Sequence, residues 1–216
     1  MKKIMFSERF GLEQAVLAGT KTMTRRIIPD IEIDWNRRGR VTLPISGFKH
    51  GVLFMDVRSI LHDDDICDYF APAKYQPKYE VGEEVAIAQA YQALRWPALP
   101  GIDWGAITDE VIHSKGWKNK MFVKAEYMPH RIRITGIKVE RLQGISDEDA
   151  MREGIRQSVI EYGDKKIVQW TYLGEKITTW YNSPREAFAA LIDRISGRGT
   201  WQSNPWVYAY TFELKK

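Results

Sequence analysis

The chain is poor in cysteine. One thiol, Cys67, among 216 residues leaves no internal disulfide framework and predicts a reducing, intracellular setting. Long apolar runs are missing too: none approaches the length of a membrane span. Met1–Glu8 carries two lysines but lacks the apolar segment of a secretory leader. The expectation is a soluble, cytoplasmic protein. The four histidines, at 50, 62, 113 and 130, do not fall at ligand spacing, and a lone Cys makes no zinc site. His62-Asp63-Asp64-Asp65 therefore reads as a solvated turn or helix start. Neither a metal nor a cofactor is expected, and there is no internal repeat or low-complexity tract.

A chain of this length buries roughly 70% of its extended surface and can hold itself together by packing. The formal charge of +4 permits a nucleic-acid partner without demanding one. Aromatics make up 12% of the residues, with eight Trp. That supplies stacking faces, although Trp is more often core than ligand platform.

The densest chemistry lies in Ala18-Gly19-Thr20-Lys21-Thr22-Met23-Thr24-Arg25-Arg26, with one amine, three hydroxyls and two guanidiniums in nine residues. Ser7 can cap a helix from about Glu8 to Ala18, Gly19 suits its C′ position, and 22–28 reads as a strand ended by Pro29. A solvated edge strand rich in Thr explains part of this stretch; a polar constellation at a pocket mouth explains more. Further strands are predicted at 41–43, 52–55, 84–90, 121–127 and 131–142. The alternation in the last of these resets at Gly136, which predicts a bulge. Residues 95–120 read as a long loop with short elements, and 156–182 as an inserted hairpin around Gly174 whose apolar side is Trp170, Tyr172, Ile177 and Trp180.

Ser146 to Gly154 reads as a short helix. Asp147, Glu148 and Asp149 sit in its first turn, where carboxylates favour the helix dipole; Glu153 sits at the unfavourable end, a mild functional hint. Ser183-Pro184-Arg185-Glu186 is a full capping box worth on the order of 1–2 kcal/mol. Phe188, Leu191, Ile192 and Ile195 follow it at the spacing of one helix face. The last strand alternates Trp206, Tyr208, Tyr210, Phe212 and Leu214 with Val207, Ala209, Thr211 and Glu213, the pattern of an inner strand with one aromatic-rich face.

The stretch Leu17 to Arg26 resembles the leading motif of the ASCH domain, a β-barrel relative of the RNA-binding PUA fold. Tyr79 to Val85, Arg131 to Leu142, Ser146 to Gly154 and Asn204 to Val207 are similar to later parts of that family in the same order, the last to phage-encoded members. The resemblance implies an α+β, PUA-like small β-barrel flanked by helices, in one domain over residues 1–216. Its insertions fall at about 29–78, 91–120 and 156–182. It also implies distant similarity to a bacterial amidohydrolase acting on acetylated cytidine. Carried over by motif, Thr24 would be the nucleophile, Lys21 its base and Glu153 the group that orients the amine or shuttles a proton. A free lysine, with a pKa near 10.4, needs burial or nearby cations to serve as a base, and Glu153 would push the other way. Thr22, Gln89 and Tyr91 would line the pocket. Gln89 lies in Ala88-Gln89-Ala90-Tyr91, where phage-type members usually carry Arg-Glu-Thr-Trp, and Gln cannot take a proton.

Three functions follow as expectations. The first is a nucleic-acid or nucleoside-binding barrel, presenting Arg25, Arg26, Arg131 and Arg133 to RNA phosphates or recognising a modified base. The second is an amidohydrolase on acylated cytidine-like nucleosides, or a ribonuclease. The third is a phage accessory or morphogenesis scaffold.

Overall fold

In the computed structural model, residues 1–34, 40–58, 68–94, 111–162, 165–173 and 179–215 are described. The elements in chain order are β1 (Lys3–Ile4), α1 (Leu12–Leu17), β2 (Met23–Ile27), β3 (Ile31–Asp34), β4 (Arg40–Leu43), β5 (Ile45–Lys49), β6 (Val52–Asp56), β7 (Asp68–Phe70) and β8 (Glu84–Ile87). Then come β9 (Arg131–Arg141), α2 (Asp147–Arg152), β10 (Arg156–Tyr162), β11 (Lys165–Thr171), α3 (Pro184–Ser196), α4 (Thr200–Ser203) and β12 (Trp206–Lys215). The fold is mixed α+β, mostly sheet with few helices.

A five-stranded sheet in the order β1-β8-β9-β12-β2 organises the chain, with β1 parallel to β8 and the remaining pairs antiparallel. Three small sheets, β3-β4, β5-β6-β7 and β10-β11, are built from the residues between its strands. β12 lies inside the main sheet, as its alternation predicts. Tyr208, Tyr210 and Phe212 on one face are buried, and so are Val207 and Ala209 on the other, so the sheet is covered on both sides at its centre. The bulge at Gly136 is present: Ile134 pairs with Phe212 and Gly136 with Thr211, leaving Thr135 as the extra residue. A Cβ on Gly136 would lie 2.6 Å from Thr211 Oγ1, so a larger residue there would require the Thr211 side chain to move.

Among the described residues the expected barrel is not closed by hydrogen bonds. β1 and β2 are the two edges of the sheet. The sheet nevertheless curls far enough to bring those edges together. Arg26 Nη2 on β2 donates to the carbonyl of Met5, just beyond β1, at 2.7 Å, and the Phe6 ring packs on Phe212 with centroids 5.6 Å apart.

Several elements differ from expectation. α1 begins at Leu12 rather than near Glu8, because Gly11 turns the chain with φ 63° at the N-cap, with Leu173 packed where its Cβ would stand (2.6 Å). Gly19 does occupy the left-handed C′ position, with φ 73°. Residues 121–127 form two 3-10 turns in place of a strand. Asn119 caps the first by accepting from the Met121 N–H at 2.9 Å, and Val123, Ala125 and Met128 bury into a small satellite core with Ala86 and Tyr91. Within 156–182, β10 and β11 pair in register from Arg156↔Thr171 to Tyr162↔Lys165, and Trp170 also bridges Tyr181 in antiparallel sense on the other side of residues 174–178. Gly174 and Ile177 lie outside the described residues, as do residues 95–110 of the long loop and the His62–Cys67 stretch. Among the described residues no cluster of His, Cys, Asp or Glu is placed to hold a metal ion, and no helix is long and apolar enough to cross a membrane.

Candidate functional site

The site forms at the seam where the curled sheet fails to close. Gly19 ends α1 and drops Thr20 and Lys21 into a turn held by two N–H bonds to Ala15 O, so Lys21 precedes β2. That frees its side chain from strand alternation and sends it under Gly154, whose φ of 105° ends the α2 turn. Lys21 is 2% exposed. Its Nζ donates to three acceptors, each at 2.7 Å: the Met23 carbonyl, the Glu153 carbonyl and Glu153 Oε2. A neutral amine has only two N–H groups, so this arrangement holds the ammonium. Burial drives the Lys21 pKa below its ordinary value; Glu153 opposes the shift, and Arg26 and Arg25 add to it.

Glu153 spans two cations. Oε2 takes Lys21 and Oε1 accepts from Arg25 Nη1 at 3.1 Å. Three carboxylates engage Arg25. Its Nε and Nη2 reach Glu140 Oε1 at 3.0 and 2.6 Å, and Nη2 also reaches Asp149 Oδ2 at 3.1 Å. Burial works against the Arg25 charge, but Glu153 and Glu140 outweigh it and raise the pKa. Lys138 closes the array by bridging Glu140 (3.0 Å) and Asp149 (2.9 Å). Burial pushes the Asp149 pKa up, and Lys138 and Arg25 more than reverse it. The misplaced acid at the end of α2 is thus explained: Glu153 joins Lys21 to Arg25.

A cavity of about 220 Å³ opens beside this array. Lys21, Thr24, Arg25, Arg26 and Glu153 form its polar wall. Met5 and Phe6 face them from beyond β1, and Phe188, Leu191, Ile192 and Ile195 close it from α3. Ser183 caps that helix by accepting from the Glu186 N–H (3.1 Å), while Glu186 accepts from Asn182 N–H (3.1 Å). Ile195, expected on the core face, is 44% exposed and serves as cavity rim. Thr24 is buried, and among the described residues no group hydrogen-bonds its hydroxyl. The cavity therefore combines a hydroxyl without a partner, a buried ammonium–carboxylate pair and an apolar wall.

The remaining expected residues lie elsewhere. Thr22 Oγ1 accepts from Arg152 Nε at 3.1 Å and does not line the cavity. Gln89 Nε2 donates to the buried Glu13 of α1 at 3.0 Å, and Tyr91 belongs to the satellite core, its OH accepting from Lys124 N–H at 2.8 Å. Arg131 and Arg133 are not brought to Arg25. They pair with Lys215 and Glu213, whereas Arg25 pairs with Ala209, four to six residues away along β12, or roughly 13–20 Å. Arg133 Nη2 donates to Glu84 at 2.9 Å. Arg25 itself is unavailable to a phosphate because three carboxylates enclose it.

Sequence reasoning missed Glu140, Lys138 and the α3 wall. No family model, curated protein or solved structure matches the chain.

Proposed function

We propose that the chain is an ASCH-type protein that takes a nucleobase or nucleoside, free or within RNA, into the seam cavity. Its curled sheet corresponds, in this reading, to an open form of the PUA-like barrel. The observation that carries the proposal is the pairing of an apolar helix face, Phe188 to Ile195, with the polar wall of Lys21, Thr24 and Arg26 across about 220 Å³. That volume is below the ~300–1,000 Å³ typical of drug-sized sites and suits a planar heterocycle with a few polar edges. The test is calorimetric titration with cytidine and acetylated cytidine. Binding that Phe188→Ala and Ile195→Asp abolish supports the reading; equal binding in these variants overturns it.

The unpartnered Thr24 hydroxyl favours a second reading, in which the protein hydrolyses an acylated nucleoside. Lys21 hands one proton to Glu153. Thr24 Oγ then adds to the acyl carbon while its own proton passes to Lys21 Nζ. The C–N bond breaks, the leaving amine takes that proton, and water cleaves the Thr24 ester to release the acid and restore the hydroxyl. The lowered Lys21 pKa supports this step. Chromatographic detection of cytidine from acetylated cytidine, abolished in Thr24→Val, is the expected result. Turnover retained in Thr24→Val removes the Thr24 mechanism.

A further inference from the structure

A second cavity, of about 250 Å³, abuts the first; the two share Met5, Arg26 and Ile27. Its charge is one-sided. Lys3, Arg26, Lys74 and Lys78 line it, and no carboxylate does. Lys3 Nζ donates to the carbonyls of Met121 and Val123 at 2.7 and 2.6 Å, and Arg26 to that of Met5. Among the described residues none of these four cations has an acid within ion-pair distance. Glu83, which acts on Tyr79 and Tyr210 at longer range, is itself taken by Lys2 at 3.0 Å.

Aromatic rings complete the wall: Tyr75, Tyr79, Tyr208 and Tyr210. Each hydroxyl is committed to the backbone. Tyr75 OH donates to Glu32 O (3.1 Å), Tyr79 OH to Lys3 O (2.9 Å) and Tyr208 OH to Tyr75 O (2.8 Å), and Tyr210 OH accepts from Lys78 N–H (3.1 Å). The rings are therefore fixed. Lys74 Nζ lies 4.6 Å from the Tyr75 ring centroid and Lys78 Nζ 5.5 Å from that of Tyr79. Burial raises the pKa of Tyr79, Tyr208 and Tyr210, that of Tyr79 to about 12. Cations resting on ring faces keep most of their field, because an aromatic quadrupole neutralises far less than a carboxylate.

We propose that this second cavity binds a phosphate group carried by the nucleoside whose base enters the first, so that the ligand is a nucleotide, free or within a strand. The inference rests on the base-cavity reading above. Arg26, as the wall common to both cavities, faces both parts of such a ligand.

The test is titration at low ionic strength with cytidine, its 5′- and 3′-monophosphates, inorganic phosphate and a short single-stranded RNA. Native protein is compared with the double variant Lys74→Ala/Lys78→Ala and with the charge reversal Lys78→Glu, each first shown folded by circular dichroism. The expected result is that one monophosphate binds about tenfold tighter than cytidine, a gain of about 1.4 kcal/mol. Both variants lose that advantage and bind cytidine as before. Tighter binding of RNA than of either monophosphate, with a salt slope that flattens by about 0.7 for each lost contact, assigns the phosphate to a strand. Equal affinity for cytidine and both monophosphates overturns the phosphate inference and leaves the base cavity standing. Binding of inorganic phosphate, lost in the variants, without any binding of cytidine overturns the nucleotide form of the proposal and the base-cavity reading with it.

Discussion

Arg25 and Arg26 are neighbours in sequence and opposites in the fold. Arg25 turns to α2 and β9, where Glu140, Asp149 and Glu153 take up its guanidinium. Arg26 points to the seam, where it is exposed and gives one hydrogen bond to a carbonyl. The comparison extends to the cavities on which they border. Beside Arg25 every charge is answered, and Lys21 and Glu153 are buried as a pair. Beside Arg26, Lys74 and Lys78 have aromatic faces in place of acids. A basic dipeptide is therefore not one feature. An arginine enclosed by acids holds elements together, whereas an arginine without them leaves its field to a ligand.

The largest expected effect breaks the answered side. Glu153→Ala leaves the Lys21 ammonium buried without a counter-charge and should lower the unfolding free energy in urea by about 3–5 kcal/mol. A loss below about 1 kcal/mol would mean that the pair does not hold α2 to β2. Replacing both partners, Lys21→Met with Glu153→Leu, should recover most of that loss, since apolar groups of similar volume need no counter-charge.

A smaller effect comes with acid. The folded pKa of Asp149 is held below its ordinary value, so its contribution is complete above about pH 4 and fades as pH falls through the folded value. Melting temperature against pH should drop more steeply below pH ~4 for the native chain than for Asp149→Asn; parallel curves would contradict the assignment. The smallest effect sharpens the contrast from the other side. Arg26→Ala should change stability by no more than about 0.5 kcal/mol, as a surface substitution does, while weakening anion binding. A stability loss like that of Glu153→Ala would erase the difference between the two arginines.

Local signals were legible where local chemistry decides. Ser146 and Ser183 cap their helices, Gly19 and Gly154 end theirs, and Gly136 marks the bulge, because each depends on a few adjacent residues. Long-range packing hid the rest. Nothing near Ser7 reveals that Leu173 packs on Gly11 and delays α1, and the apolar residues of 121–127 suit a strand until Ala86 and Tyr91 draw them into turns. At the site, Lys21, Thr24 and Glu153 stood out in the chain and line one cavity, but Glu140 carried no signal. Its role depends on the register that sets Val207 between it and Ile27. Arg131 and Arg133 show the reverse: their composition matched the expected use, and the same register carries them to the far end of β9.

The order of the strands also sets a timetable for synthesis. β2 is made long before β12, its partner in the sheet, and β1 before β8. Pairings across such separations close slowly and late. Until β12 arrives, β2 has no neighbour in the main sheet, and Lys21 is without Glu153 until α2 has emerged. The seam cavity therefore cannot exist before β12 has been made, and Arg25 and Arg26 wait until then for their strand partner.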